Sequence, residues 1–172
     1  MSAPQRAARA AQTVKVKGTA ARVPGAKPSF FRREGLRGDH ARLARAAARA
    51  RRRAYAPYSQ FPVGAAVLTT DGMIYTGCNV ENASYGLTLC AERVAIHTAV
   101  ANGRRRVTAI AVAGPAGVTL MPCGACRQVM DEFGVRTVIL ASARRTPAIV
   151  SLSDLLPWPF TGRSKRTRHA GL

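Results

Sequence analysis

Three cysteines at the starts of two predicted helices restrict the ways in which this chain can fold. Cys123 and Cys126 stand three residues apart in PCGACRQVM, and Cys90 begins the segment CAERVAI. Residues at i and i+3 share one face of a helix, so the two later sulfurs can reach the same metal ion. The N–H groups of a first helical turn also favour thiolate over thiol. A site made of all three thiols requires a fold in which the two helix starts meet.

Glu92 lies two residues after Cys90, on a predicted helix that continues with the apolar residues Val94, Ala95 and Ile96. Three protein ligands leave one position of a tetrahedral zinc ion open to water, which is the catalytic arrangement. A carboxylate beside such a site can take a proton from the water and deliver it elsewhere. Glu92 is therefore the candidate catalytic residue.

Two other interpretations of the cysteines stay open at this point. Cys78 could close a structural site of four cysteines, although its distance from Cys90 is not the C-x₂₋₄-C spacing of paired ligands. The Cys123–Cys126 spacing also suits a thioredoxin-like redox pair, but it follows three predicted strands and two helices rather than an early strand. Four cysteines without a secretion signal favour a reducing compartment, where metal or redox chemistry is commoner than a structural disulfide.

Strand and helix signals alternate along the chain, a pattern typical of α/β proteins. Two strand-like runs around Asp71-Gly72 predict a hairpin, and Ser151 with Asp154 resembles a capping box for a short last helix. Strands are predicted over 63–70, 73–80, 107–114, 137–142 and 148–152, and helices over 39–54, 90–102, from Pro122 to a cap at Gly134, and from Ser151 to Pro157. This order predicts a three-layer α/β/α sandwich with a mixed five-stranded sheet and helices on both faces.

The formal net charge of +19 is concentrated at the ends of the chain. Residues 1–55 hold 15 Lys and Arg against two acids, whereas residues 56–160 hold eight Arg against six acids. We expect a basic, disordered extension over 1–38, a folded domain over 39–160 and a basic tail over 161–172. Because the charge lies mostly outside the domain, it does not favour nucleic acid as a partner. No run of 18 apolar residues is present, so we expect no membrane span.

Four stretches carry a resemblance to a known family: YAPYSQFPVGAAV, GCNVENASYGLTLCAERVAI, PCGACRQVM and LSDLLPWPF. The C-A-E and P-C-x-x-C motifs match the signature of the zinc-dependent deaminases, with three cysteines as the ligand set. The four stretches together resemble the free-nucleoside cytidine deaminases of the small homotetrameric type, over roughly residues 40–160. The fold implied is the cytidine deaminase-like sandwich.

The resemblance implies a role for each matched position. Cys90, Cys123 and Cys126 would bind one Zn²⁺ per subunit, and Glu92 would shuttle protons while a zinc-bound hydroxide attacks C4 of the base. The other implied roles are ribose binding by Asn79 and Glu81, ring contacts from Phe61 and the Ala91 N–H, hydrogen bonding of Arg93 to the ligand thiolates, and inter-subunit contacts from Tyr85 and Phe160. Pro159 departs from the family pattern, and Trp158 could share the role of Phe160.

The residues themselves support some of these roles. Asn79 and Glu81 alternate on a segment predicted to be extended, so their side chains point the same way. An amide and a carboxylate suit a diol, but polar groups of this kind also serve to satisfy loop backbone. A positive charge at Arg93 would stabilise the ligand set electrostatically. Three thiolates and Zn²⁺ carry a net charge of −1, and a guanidinium nearby offsets it.

The function expected is hydrolytic deamination of cytidine and 2′-deoxycytidine to uridine and 2′-deoxyuridine, in pyrimidine salvage. The alternatives are a deaminase of another cytosine compound or of polynucleotide cytosines, and a structural zinc module that binds nucleic acid through its basic ends. We expect a homotetramer that acts on a small nucleoside in the cytoplasm, although the basic N-terminal segment is also compatible with organelle targeting.

Overall fold

The computed structural model describes residues 32–33, 36–118, 120–141 and 146–162. None of the helices in these ranges is long and apolar enough to cross a membrane. Two single turns of 3₁₀ helix occupy Arg51–Arg53 and Tyr85–Leu87. The main elements are β1 (Arg32–Arg33), α1 (Gly38–Ala50), β2 (Gly64–Thr69), β3 (Ile74–Cys78), α2 (Ala91–Ala101), β4 (Val107–Ala113), α3 (Gly124–Glu132), β5 (Thr137–Ala141), β6 (Ala148–Ser151) and α4 (Leu152–Leu155).

The sheet has the strand order β1-β6-β5-β4-β2-β3. The β4 and β5 strands are parallel, with Ile110 opposite Val138, and the other neighbouring pairs are antiparallel. The mixed sheet and its five predicted strands are therefore confirmed. The sixth strand, β1, is only two residues long and adds an edge beside β6. It was missed because two consecutive arginines carry no apolar alternation.

Alternate side chains of each central strand enter different hydrophobic cores, because neighbouring residues of a strand point to opposite faces. On β2 and β4, Val67 and Ile110 face the core that is covered by α2 and α3. Ala66 and Ala111 face the core that is covered by α1. The predicted three-layer sandwich is therefore confirmed, with α1 on one face of the sheet and α2 and α3 on the other.

The layer formed by α1 is close to the sheet because the residues between them are small. Gly64 at the start of β2 lies so near α1 that an added Cβ would stand 2.2 Å from the Ala47 carbonyl oxygen. The helix starts at Gly38 instead of at an Asp39 cap, and Asp39 in its first turn pairs with Arg42 at 2.8 Å. It ends at Ala50 rather than Ala54, because the backbone tightens into the 3₁₀ turn there.

The other predicted boundaries agree with the structure to within one or two residues. Gly72 adopts φ +82° in the turn between β2 and β3, as the Asp-Gly pair predicts. The Ser151 side chain accepts a hydrogen bond from the Asp154 N–H at 3.1 Å and caps α4. The domain limits 39–160 stay a prediction. Most of the extension 1–38 and of the tail 161–172 lies outside the described residues, but Arg32 and Arg33 pair with the sheet.

Candidate active site

Three thiols meet where α2 and α3 begin. Cys90 and Cys123 each occupy the position just before their helix, and Cys126 lies in the first turn of α3. The three sulfurs lie within 4.8 Å of one another. Tetrahedral zinc with Zn–S bonds of about 2.3 Å holds its sulfurs about 3.8 Å apart, so the cluster suits one ion after a small contraction. The convergence predicted from the sequence is therefore present.

Helix α2 is held against the sheet by a close backbone contact. Gly77 on β3 lies beneath it, and an added Cβ would stand 2.4 Å from the Ala95 nitrogen and 2.7 Å from the Ala91 oxygen. The buried residues Ala95 and Ile96 then fix the helix in the same core as Cys126 and Met130 of α3. Only a glycine permits this approach, and the contact determines the depth of the helix that follows Cys90.

The thiols of Cys90 and Cys126 differ in their tendency to ionise. A hydrogen bond from the Cys126 thiol, supported by the nearby Arg93 guanidinium, lowers the pKa of Cys90 to about 5. The pKa of Cys126 is raised, because the same hydrogen bond holds its proton and burial disfavours its charge. Cys90 is therefore the more readily ionised of the two thiols. A metal bound by all three sulfurs would replace the shared proton.

Glu92 lies in the first turn of α2 and is almost fully buried, with 5% of its surface exposed. Burial raises the pKa of its carboxyl group, and the charge of Cys90 raises it further. A carboxyl group with a raised pKa both accepts and releases a proton more readily near neutral pH. The structure therefore places a buried carboxyl group with a raised pKa beside the sulfurs of Cys90 and Cys126.

Arg93 connects the segment before α2 to the sulfur cluster. Its Nη2 donates to the Thr88 carbonyl oxygen at 2.8 Å and lies 3.8 Å from the Cys90 sulfur. Its Nε is buried without a hydrogen-bond partner among the described residues. The guanidinium thus approaches a ligand thiolate, which is the contact that the resemblance implied.

Cys78 is not part of the cluster. It lies at the end of β3, and its thiol donates to the Arg53 carbonyl oxygen at 3.3 Å. Within the described ranges, the three sulfurs of Cys90, Cys123 and Cys126 form the group suited to a metal. The structure therefore does not support a closed site of four cysteines.

Asn79 and Glu81 lie on an extended segment that is hydrogen-bonded through its backbone to the residue before the sulfur cluster. Val80, between them, exchanges two hydrogen bonds of 3.0 Å with Leu89, the residue before Cys90. Asn79 is buried, and its amide bonds the loop that carries Phe61: it accepts from the Val63 N–H at 2.8 Å and donates to the Phe61 oxygen at 3.1 Å. The side chain thus satisfies loop backbone, the alternative raised by the sequence.

The Glu81 carboxylate also bonds this loop. Its Oε2 accepts from the N–H groups of Tyr58 and Ser59 at 2.9 and 3.1 Å, and its Oε1 accepts from the Ser59 hydroxyl. These bonds, led by the one from the Ser59 side chain, lower the pKa of Glu81. Phe61 is partly buried and packs against the core that contains Ala91 and Cys126. Asn79 and Glu81 are therefore both linked to the loop of Phe61, and Phe61 packs against the core to which Ala91 belongs.

Tyr85 and Phe160 lie on the surface of the single chain. Tyr85 is 74% exposed and meets Tyr58 edge to face, with ring centroids 5.9 Å apart. Phe160 is 79% exposed, and Trp158 beside it is 91% exposed. Neither Tyr85 nor Phe160 is part of the sulfur cluster of its own chain. Their predicted contact with a neighbouring subunit stays a prediction.

Two side chains of α3 that follow the cysteines, and that the motif alone did not predict to have a role, connect this helix to the C-terminal segment. Arg127 donates to the Pro122 oxygen at 2.8 Å and to the Leu155 oxygen at 2.9 Å, so it joins the start of α3 to α4. The Gln128 amide makes two hydrogen bonds with the backbone of Phe160, at 2.9 and 3.0 Å. Both follow Cys126 directly in CRQ, and polar residues beside a ligand were the available signal.

A three-layer sandwich with three convergent thiols and a buried acid defines a zinc-binding enzyme domain. Residues 37–142 match the family model described as the cytidine and deoxycytidylate deaminase zinc-binding region. The chain belongs to this family. Zinc, one ion per chain, is the cofactor that both the family and the sulfur cluster support.

Similar proteins and structures agree with this assignment. The chain is 48% identical to a cytidine deaminase of Halalkalibacterium halodurans over 125 residues, which are 72% of this chain and 95% of that protein. The crystal structure of a cytidine deaminase from Burkholderia pseudomallei has a TM-score of 0.67 and 51% identity, and it covers 70% of this chain and 98% of its own. The cytidine deaminase of Mycobacterium tuberculosis has a TM-score of 0.64 and 44% identity, with 73% and 100% covered.

Proposed function

We propose that this protein hydrolytically deaminates cytidine and 2′-deoxycytidine to uridine and 2′-deoxyuridine, a reaction of pyrimidine salvage. The observation that carries the proposal is the buried Glu92 beside three sulfurs at two helix starts. Bound zinc would supply an activated water molecule at neutral pH. Cys90, Cys123 and Cys126 would hold the ion, and the names of the similar proteins favour cytidine as the substrate.

Glu92 would carry the protons of the reaction. Its raised pKa suits a group that takes a proton from water, gives it to the ring N3 and later assists the departure of ammonia. Ala91 is the first residue of α2, where backbone N–H groups have no partner within the helix. Its N–H would donate to the ring carbonyl, and Phe61 would pack against the pyrimidine.

Asn79 and Glu81 would bind the ribose, chiefly its 3′-hydroxyl. The bonds that each makes to the loop leave one N–H hydrogen on Asn79 and one acceptor site on the Glu81 carboxylate. A hydroxyl group can use both, because it donates one hydrogen bond and accepts others. If both side chains bind a free 3′-hydroxyl, there is no room for a nucleotide attached at that position. Cytosines within a polynucleotide are therefore disfavoured as substrates.

We also propose that the active form is a homotetramer in the cytoplasm. Tyr85, Leu87, Trp158 and Phe160 expose between 67% and 91% of their surfaces, and association of chains would cover them. Three of the four cysteines would hold zinc as thiolates, which suits a reducing compartment.

The proposal is tested by assaying the zinc-loaded protein with cytidine, 2′-deoxycytidine and a cytosine-containing oligonucleotide. We expect turnover of the two nucleosides and little of the oligonucleotide. The Glu92→Gln variant should keep its zinc and lose about 10²–10⁴-fold in kcat, since general acid–base groups contribute that much. The matched Asp154→Asn variant, at an exposed position of α4, should keep its activity.

Two results would contradict the proposal. Zinc binding without turnover of any cytosine compound would favour the structural zinc module. Substantial turnover by Glu92→Gln would exclude Glu92 as the proton carrier.

A further inference from the structure

Ser59 occupies the centre of the contact between the loop 58–63 and Glu81. Its hydroxyl contacts the Glu81 Oε1, and it also accepts a hydrogen bond from the Phe61 N–H at 3.1 Å. An ionised carboxylate can only accept hydrogen bonds, so the single proton of the hydroxyl must point to Glu81. Ser59 therefore connects the predicted ring-packing residue to a predicted ribose-binding residue through one oxygen.

The hydrogen bonds leave the two carboxylate oxygens of Glu81 unequal. A carboxylate has about four acceptor sites, two on each oxygen. The N–H groups of Tyr58 and Ser59 occupy both sites of Oε2, while the Ser59 hydroxyl occupies one site of Oε1. One acceptor site therefore remains, and it is on Oε1.

We propose that Ser59 is a positioning residue for nucleoside binding, which fixes Glu81 so that Oε1 accepts the ribose 3′-hydroxyl. The inference rests on the proposed function, because it uses the sugar contact assigned there to Glu81. A carboxylate held at three points has little freedom left, so the entropy lost when the sugar binds is smaller. Without the hydroxyl, the loop contacts only Oε2, and the carboxylate can turn about its own axis.

Asn79 holds the part of the same loop that follows Gln60. Its amide donates to the Phe61 oxygen and accepts from the Val63 N–H. Phe61 is thus held at its N–H by Ser59 and at its carbonyl by Asn79. Gln60 between them adopts φ +52°, a conformation that few residues other than glycine adopt, so the turn depends on these external bonds.

The test compares Ser59→Ala with the parent protein on two substrates, cytidine and 3′-deoxycytidine, which lacks the hydroxyl group in question. We expect the KM for cytidine to rise about tenfold in the variant, because a Glu81 carboxylate that is free to turn must be ordered when the sugar binds. The KM for 3′-deoxycytidine should change little, and kcat should stay similar for both. Ser59→Thr keeps a hydroxyl group and should restore binding of cytidine.

Two controls separate positioning from general damage. Ser84→Ala makes the same change at an exposed loop residue whose hydroxyl makes no hydrogen bond within the described part of the chain, and it should leave both KM values unchanged. In a Glu81→Gln background, Ser59→Ala should no longer alter the preference between the two substrates. Zinc content and melting temperature should be close to those of the parent in each single serine variant.

The outcomes distinguish this inference from the proposed function. If the parent protein does not deaminate cytidine, the proposed function fails. If the parent is active and Ser59→Ala raises the KM equally for both substrates, or for neither, the positioning role is overturned. An equal rise would mean that Ser59 acts only by holding the loop and Phe61.

Discussion

Arg93 illustrates how a single charged side chain can serve a metal site without binding the metal. Its guanidinium is anchored on the Thr88 oxygen and lies 3.8 Å from the Cys90 sulfur. The hydrogen bond from Cys126 lowers the pKa of Cys90 most, and the Arg93 guanidinium lowers it further. The motif places Arg93 directly after Glu92, but only the folded chain shows that it turns back towards the thiol.

Replacing Arg93 by glutamine should weaken catalysis more than folding. We expect activity on cytidine to fall about 10–100-fold, the usual effect of removing a partner of a metal ligand. The pH at which activity rises should move upward, because the loss of a positive charge raises the pKa of nearby acids. The measurement is a pH profile of kcat/KM together with zinc analysis. Arg105→Gln, on the exposed connection from α2 to β4, is the matched control and should keep the pH profile of the parent. If Arg93→Gln also kept the parent profile, the role of Arg93 would be contradicted.

At the scale of the element, the position of α2 depends on a glycine in the neighbouring strand. Gly77 lies within the strand predicted over 73–80, and nothing in the local sequence explains why a glycine stands there. The reason is the approach of Ala91 and Ala95, which belong to a helix beginning 14 residues further along the chain. Sequence patterns predict which element a residue joins, whereas a contact between elements needs the assembled layers.

Gly77→Ala should therefore displace α2 and disturb the site that it carries. Overpacking of this kind costs roughly 1–3 kcal/mol, and here the atoms in the way are backbone that cannot move aside. We expect a lower melting temperature and weaker zinc retention, measured by thermal unfolding and by competition with a chelator. Gly86→Ala is the matched control, since nothing lies within 4 Å of its added Cβ. Equal stability of the two variants would show that α2 tolerates the shift.

For the whole molecule, the exposed aromatic residues near the C-terminal end call for an explanation beyond the single chain. The Gln128 amide holds the backbone of Phe160, while the side chain stays 79% exposed and is not covered by the described residues of its own chain. The same helix, α3, carries Cys123 and Cys126 at its start. The element that holds the metal would thus also present Phe160 to a neighbouring chain.

We expect the purified protein to have the mass of four chains in light scattering. Phe160→Ser should shift the mass towards smaller assemblies and lower the activity, because an apolar contact is lost from the proposed interface. Met73→Ser removes a half-exposed apolar side chain from the turn between β2 and β3, and it should leave the mass unchanged. A parent protein that runs as a monomer with full activity would contradict the tetramer.

The sequence by itself determined the order of the elements, the three thiols and the acid beside them. These follow from local rules: apolar alternation, Asp-Gly and Gly caps, and ligand spacing along a helix, all of which act within a few residues. The hairpin, the α3 start and the Ser151 cap were predictable for this reason. Edge strand β1 was not, since two arginines pair with β6 only because β6 offers an open edge.

Only the tertiary structure decided what each polar side chain contacts. Ser59 and Glu81 are 22 residues apart, and Gln128 and Phe160 are 32 apart, so no local pattern could join them. Cys78 also lies outside the cluster, and its thiol donates a hydrogen bond to the Arg53 carbonyl oxygen instead. The physical reason is the same in each case: a hydrogen bond requires atoms about 3 Å apart, and that distance is fixed by the packing of layers.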